Sequence, residues 1–283
     1  VDVRASWANR FGFLRRNHRI ALPVLPFAAS SKRIDADVLL ASSSGWAHGF
    51  RTTGRKVVYC YTPPRWLYQG NRYLGDHPDR LTRTVLWFLR PFLVRWDRRA
   101  ARSASSYVTI SSVVQDRVLE AYGTSSVVVP APWPNTVRST PTPVAEIEQW
   151  LDGQPYELCV SRLLPYKNVH VVVGAYASEP QRRLVVVGRG PEESRLRAAA
   201  GENVRFVQSI SDGALAWLYR GARALVAMSY EDFGLTPLEA ASFGKPSVVL
   251  RWGGFVETMI EDVTAVFVEE PTQLQQEGFV QRL

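Results

Sequence analysis

Residues 224–250 read Ala224-Leu-Val-Ala-Met228, Ser229-Tyr230, Glu231-Asp-Phe-Gly-Leu-Thr-Pro-Leu-Glu239, Ala-Ala-Ser-Phe-Gly244-Lys245-Pro246 and Ser247-Val-Val-Leu250. Two short apolar runs flank a segment rich in helix-start signals. Such runs, bounded by turn residues, fit strands buried on both faces. Between them Thr236 can cap a helix, Pro237 suits its first position and Glu239 falls in its first turn. The loop carries Glu231, so two carboxylates flank the start of one helix. Backbone N–H groups and the positive end of the helix dipole make that place attractive to an anion. A diphosphate joining two polyhydroxylated groups is a ligand that would use the whole arrangement. Thr236-x-x-Glu239 is also a capping box, which satisfies the same backbone groups with no ligand.

The alternation extends outward. Strands are expected at Leu158–Ser161, Leu184–Val187, Val204–Val207, Ala224–Met228, Ser247–Leu250 and Thr264–Val268. Helices are expected from Asn168 to about Ala177, from Pro191, from Ser211/Asp212 to Tyr219, over Pro237–Phe243 and around Glu257. Short apolar runs alternating with helices predict a parallel sheet covered on both faces, with ligands at the carboxyl ends of its strands. The first half repeats the pattern with strands at Asp37–Ala41, Lys56–Cys60, Tyr107–Ile110 and Val127–Val129. A long helix is expected over Leu81–Ser103, and a second from Ser112, with Gln115 as its box partner, to Tyr122 and Gly123. Pro130, Pro132, Pro134, Pro141 and Pro143, among Ser and Thr, read as a linker.

The fold expected is therefore α/β, with two Rossmann-like doubly wound parallel-sheet domains facing across a cleft. Their boundaries are read as 1–132, a linker over 133–155, and 156–283. Before Asp37 there is no strand, glycine loop and helix in succession. With the abrupt stop after Phe279-Val-Gln-Arg-Leu283, this suggests truncation at both ends.

At 283 residues and 46% apolar, the chain can bury two ordinary cores. Its net charge of +8 is uneven. Residues 1–150 carry 21 Lys/Arg against 10 Asp/Glu, and residues 151–283 carry 13 against 16. A basic half points to nucleic acid, anionic lipid or phosphorylated ligands as partners. No apolar run is long enough to span a bilayer. Cys60 and Cys159, both in strand-like runs, read as buried reduced thiols, which favours a cytoplasmic protein.

Ser161-Arg-Leu-Leu-Pro-Tyr-Lys-Asn168 follows a strand directly. Arg162 and Lys167 at a strand's carboxyl end can neutralise a diphosphate, as departure of a phosphate requires. A solvated basic loop is the plainer reading of that motif taken alone; Glu231 and Glu239 in the same sheet favour the ligand.

Arg162 and Lys167, Val187-Gly188-Arg-Gly190-Pro191, Glu231-Asp-Phe-Gly-Leu-Thr-Pro-Leu-Glu239, Gly244-Lys-Pro246 and Gly253-Gly254 with Glu257 come in one order and spacing. This set resembles the retaining glycosyltransferases of family 4, which have the GT-B fold, over about Asp37 to Val268. The resemblance implies metal-independent transfer of a hexose from a nucleotide-sugar, with no bound cofactor. It implies that Arg162 and Lys167 hold the diphosphate and that Glu231 faces the donor sugar. Glu239 would bind the ribose, Phe233, Gly234 and Leu235 would offer backbone amides, and Gly188 would lie by the base. Ala41-Ser-Ser-Ser-Gly-Trp-Ala-His48-Gly and Val58-Tyr-Cys-Tyr-Thr-Pro-Pro-Arg65-Trp66 look like the subgroup that builds O-antigen and similar mannosyl polymers. That likeness implies GDP-mannose as donor, a glycan or polyprenyl-linked acceptor, and an acceptor cleft with His48, Tyr61 and Arg65. Tyr61 stands where the subgroup usually has His, and Val263 and Ala265 where it usually has Gly.

Asp35-Ala-Asp37 precedes its strand and lacks supporting ligands at useful spacing, and His18, His48, His77 and His170 show no metal-ligand spacing, so no metal site is expected. Thr84–Trp96, with Arg80, Arg83, Arg98, Arg99 and Arg102, combines apolar, aromatic and basic residues. It is read as a core helix with a solvated Arg face or as a helix making peripheral contact with the inner face of the plasma membrane. The competing functions are a catalytically inactive remnant of the same fold and a basic nucleic-acid-binding protein. The second is disfavoured because no nucleic-acid motif is present.

Overall fold

The apolar runs become two parallel sheets, one in each of two units, residues 1–131 and 132–283. The computed structural model describes residues 5–13, 24–69, 80–132 and 139–276. His18, His77, residues 133–138 of the linker reading and both chain ends lie outside them.

In the second unit six strands are parallel: β7 (Tyr156–Val160), β8 (Arg183–Val187), β9 (Val204–Val207), β10 (Leu225–Ala227), β11 (Ser247–Leu250) and β12 (Ala265–Val268). Their order is β12-β11-β10-β7-β8-β9. Leu158, Leu184 and Leu225, one from each of three neighbouring strands, are among the largest fully buried side chains. Burial on both faces explains why these strands read as continuous apolar runs rather than alternating ones. The chain steps outward from β7 to β9, then returns to lay β10 against the other side of β7. The direction of winding therefore reverses between β7 and β10. A crevice opens at such a reversal because successive connections depart to opposite sides.

Five helices connect these strands: α6 (Val169–Ala177), α7 (Glu193–Ala199), α8 (Asp212–Gly221), α9 (Leu235–Ser242) and α10 (Gly254–Thr258). Before them comes α5 (Ala145–Leu151), inside the stretch read as a linker. Its Ile147 and Leu151 belong to the core of the second unit, so the ordered domain starts ahead of β7. The sequence reading missed it because a short helix among Pro, Ser and Thr offers little periodicity.

The first unit has α1 (Leu25–Ser30), β1 (Arg33–Ile34), β2 (Val38–Ser43), β3 (Arg51–Thr52), β4 (Arg55–Cys60), α2 (Arg65–Tyr68), α3 (Arg80–Ala101), β5 (Ser106–Thr109), α4 (Ser112–Tyr122) and β6 (Ser126–Val128). Strands β2-β4-β5-β6 make one parallel sheet, and β1 and β3 form a separate two-residue pair. The helix α4 is capped by Ser111, whose Oγ accepts from the Val114 N–H at 3.2 Å. This replaces the expected box: Gln115 instead donates to the Ser126 carbonyl. Gly123 closes α4 in the left-handed conformation, its N–H donating to the Leu119 carbonyl. Neither cysteine is in a disulfide, and both are buried. Burial pushes the Cys159 thiol up to about 12, against the opposing pull of the Lys167 charge.

Candidate functional site

Because every strand of the second unit runs the same way, the loops after β7, β8, β10 and β11 meet at one edge of the sheet. The β7 loop (residues 161–168) and the β10 loop (228–234) flank the winding reversal. They are tied together by their own polar groups. The Asn168 amide donates to the Met228 carbonyl at 2.8 Å, and the Tyr230 N–H to the Tyr166 carbonyl at 3.4 Å.

Lys167 ends a single 3-10 turn, Pro165–Lys167, and Asn168 follows in the left-handed conformation that Asn tolerates better than most residues. The turn delivers the Lys167 Nζ into direct contact with Oε1 of Glu231. The Ser229 hydroxyl lies 3.2 Å from the same oxygen. The Lys167 ammonium also sits 5.0 Å from the centre of the Tyr166 ring. Arg162 donates through Nη2 to the Tyr166 hydroxyl at 2.8 Å, so one tyrosine links both predicted cations. Lys167 is 8% exposed. A nearly buried ammonium beside a carboxylate is a strong, poorly screened charge pair.

Gly188 follows β8, and the Ser161 carbonyl oxygen lies 1.8 Å from where a Cβ would stand. Only glycine lets the β7 and β8 loops come this close. The β10 loop is held from its other side, where the Glu231 carbonyl accepts from the Gly254 N–H at 3.0 Å.

The start of α9 differs from the sequence reading. Its N-cap is Gly234, at φ 87°, with no side-chain cap; Thr236 lies inside the helix. A Cβ on Gly234 would stand 2.4 Å from the Phe255 ring. The capping box is not formed, because Glu239 turns away from the helix start. Its Oε2 accepts from the Tyr219 hydroxyl at 2.5 Å. Burial raises the Glu239 pKa, opposed by the Tyr219 bond and reinforced by Asp212. Tyr219 is fully buried, and its ring stacks on Phe243 with centroids 5.6 Å apart. Phe233 is buried and Leu235 exposed. The α9 N–H groups of the first turn have no intrahelical acceptors by geometry.

Lys167, Glu231 and Arg162 are thus gathered at the reversal, with Gly188 and the Phe233–Leu235 backbone on the same edge. Glu239 belongs to that edge but pairs with α8. Sequence reasoning missed Tyr166, Ser229 and Tyr219. Tyr166 lay within a quoted motif, whereas nothing local marks Ser229 or Tyr219.

In the first unit, His48, Tyr61 and Arg65 follow β2 and β4 and share the carboxyl edge of that sheet. They do not share an environment. His48 is 2% exposed in a 3-10 turn, Ala47–Gly49. Its Nε2 lies 2.9 Å from Oδ1 of the fully buried Asp97, off the hydrogen-bond direction, and its Nδ1 lies 3.4 Å from the Ser43 hydroxyl. Asp97 accepts from the Tyr68 hydroxyl through Oδ2. His48 therefore ties α3 to the sheet edge rather than facing an open surface. Tyr61 is 39% exposed and meets Tyr59 edge-on, and Arg65 opens α2. Asp35 accepts from the Thr53 hydroxyl, and no group of three or more His, Cys, Asp or Glu suited to a metal occurs among the described residues.

Residues 144–282, all within the second unit, match the family described as Glycosyl transferases group 1. A glycogen synthase of Mycobacterium tuberculosis (strain H37Rv) is 30% identical over 183 residues, 58% of this chain and 42% of that protein. A GDP-mannose-dependent alpha-(1-6)-phosphatidylinositol monomannoside mannosyltransferase of Mycolicibacterium smegmatis is 28% identical over 211 residues, 65% of this chain and 54% of the relative. The chain spans about half the length of the curated relatives it matches. Among solved structures, sucrose-phosphate synthase from Thermosynechococcus elongatus aligns with a TM-score of 0.65 at 19% identity, covering 95% of this chain and 70% of that one. A HepE protein of Anabaena in complex with UDP aligns with a TM-score of 0.56 at 18% identity, with the same coverages. These likenesses establish the fold as α/β of the GT-B type, built from Rossmann-like sheets.

Proposed function

We propose that this protein is a hexosyltransferase, moving a sugar from a nucleotide-diphosphate donor to a glycan or lipid-linked acceptor with retained anomeric configuration. The observation that carries the reading is the meeting of Lys167 and Glu231 at the reversal between β7 and β10. There a doubly wound sheet binds its ligands, and there the anionic donor needs a cation and the sugar an acceptor of hydrogen bonds.

In this reading Lys167 exchanges its contact with Glu231 for a phosphate oxygen of the donor. Glu231 is then released to accept from sugar hydroxyls. Lys167 and Arg162 stabilise the charge that develops as the diphosphate departs, while Tyr166 keeps both near one place. The amides leading into α9, at Phe233, Gly234 and Leu235, contribute partial positive charge to the same group. Glu239, held by Tyr219, receives the ribose hydroxyls, and Gly188 leaves room for the base. The acceptor hydroxyl attacks from the face the diphosphate leaves, with phosphate taking its proton. No protein nucleophile, metal or bound cofactor is needed in this scheme. Tyr61 and Arg65 contact the acceptor, and His48, buried against Asp97, does not.

GDP-mannose is the donor we favour, since the mannosyltransferase relative is dependent on it. That relative's name also specifies a phosphatidylinositol monomannoside, which supports a lipid-linked acceptor and, with it, work at the cytoplasmic face of a membrane. The test is to incubate the protein with sugar nucleotides and candidate acceptors and assign the product's anomeric centre by NMR. Transfer with retention is expected. Transfer with inversion, or hydrolysis of the donor unaffected by loss of Lys167, would overturn the reading.

A further inference from the structure

The exposed face of α3 is divided along its length. Trp87, Phe88 and Phe92 are 71%, 61% and 73% exposed, the most solvated cluster of large aromatics among the described residues. One to three turns further on, the same face carries Arg95, Arg98 and Arg99, with Arg102 just past the last turn, all exposed. Trp87, Pro91, Arg95, Arg98 and Arg102 follow at steps of three or four, as do Phe88, Phe92, Arg95, Arg99 and Arg102. Residues so spaced lie on one side of a helix. The opposite side packs inward through Leu93, Asp97 and Ala101. Asp97 is the sole acid between positions 80 and 102, and it is buried against His48 and Tyr68. Every charge on the outer face, among the described residues, is therefore positive.

From this arrangement we infer that α3 docks on an anionic lipid bilayer, with Trp87, Phe88 and Phe92 entering the headgroup boundary and Arg95, Arg99 and Arg102 on lipid phosphates. Aromatic rings gain most where one side is apolar and the other wet. From Trp87 to Arg102 the helix rises about 22 Å. Aromatics at one end and arginines at the other fit a tilted helix better than one lying flat. The occupant follows from charge. A second copy of this chain offers the same cationic face with no acid to balance it, whereas anionic headgroups supply the missing charge. Arg98 is left out because its Nε donates to the Ala121 carbonyl at 3.0 Å. No helix among the described residues is long and apolar enough to cross a membrane, so the contact is peripheral.

The test is flotation of the purified protein with vesicles of phosphatidylcholine alone and of phosphatidylcholine mixed with phosphatidylglycerol. Binding to the mixed vesicles only, weakened by salt, is expected. Arg95→Gln, Arg99→Gln and Arg102→Gln together should lower partitioning on the order of a hundredfold. Trp87→Ser with Phe92→Ser should also lower it, with unchanged melting temperature because these side chains are exposed. Equal binding to neutral vesicles, no binding to anionic ones, or binding indifferent to both sets of substitutions overturns the inference. So does concentration-dependent dimerisation abolished by Trp87→Ser with Phe92→Ser, which assigns the face to a second copy. Sugar-nucleotide binding is measured without lipid, so failure of either reading is distinguishable from failure of the other.

Discussion

Lys167 and Glu231, 64 residues apart in sequence, touch through Nζ and Oε1 where the second sheet reverses its winding. Each holds the other in place. If Lys167 stabilises the departing diphosphate, Lys167→Ala should lower kcat by a hundredfold or more, about 2.7–4 kcal/mol in the transition state. A pre-steady-state and steady-state transfer assay checks it. Glu231 keeps 23% of its side chain exposed, so losing its partner should cost far less in stability than in turnover.

Glu239 gives a pH-dependent signature. Burial raises its pKa above the ordinary 4.5 of a Glu carboxyl. Proton binding by the folded state therefore exceeds that of the unfolded state as pH rises through this range. The associated stability is present below 4.5 and lost as pH climbs through the folded-state value. Glu239→Gln should flatten this loss, so its melting temperature relative to wild type rises with pH. The same variant should bind the donor more weakly if Glu239 meets the ribose. Melts across pH and nucleotide titrations separate the two effects.

Gly234→Ala places a methyl where the Phe255 ring stands and forces alanine into φ 87°. The left-handed backbone alone costs about 1–2 kcal/mol, and overpacking about 1–3 kcal/mol more. Thermal unfolding should shift down by several degrees, and donor affinity should fall because the α9 amides move.

His48→Ala should act on stability before it acts on the acceptor. Its neighbour Asp97 is fully buried, and removing the ring strips that carboxylate of one polar neighbour while the Tyr68 hydroxyl still donates to it. Taking a polar neighbour away from a buried acceptor costs about 1–3 kcal/mol. Tyr61→Phe, at a half-exposed position, should leave unfolding unchanged and raise KM for the acceptor. Chemical denaturation of both variants beside acceptor kinetics distinguishes the roles.

Much of the second unit was legible in sequence because β7, β8, β10 and β11 are buried on both faces and so read as unbroken apolar runs. The loops bearing Arg162, Lys167 and Glu231 could be placed on one edge from that alternation alone. What sequence did not disclose were pairings made in three dimensions. Thr236 and Glu239 have the spacing of a capping box, but the tertiary offer of the Tyr219 hydroxyl outcompetes the local bond. The helix α9 then starts two residues earlier than Thr236 would dictate, on a glycine. Ser111 caps α4 in place of its neighbour Ser112, a distinction that propensity cannot make. His48 looked accessible because it follows a strand end, and its burial depends on α3, which brings Asp97 from far along the chain. The two-residue strands β1 and β3 are too short to leave a pattern.

The central claim is that Lys167 and Glu231 grip a nucleotide-diphosphate sugar. Calorimetric titration of wild type, Lys167→Ala and Glu231→Gln with GDP-mannose, UDP-glucose and the free nucleoside diphosphates tests it most directly. The account predicts that wild type binds one of these, that Lys167→Ala weakens both sugar nucleotide and free diphosphate, and that Glu231→Gln weakens only the sugar-bearing form. A protein that binds none of them, or binds equally well with Lys167 removed, would contradict it.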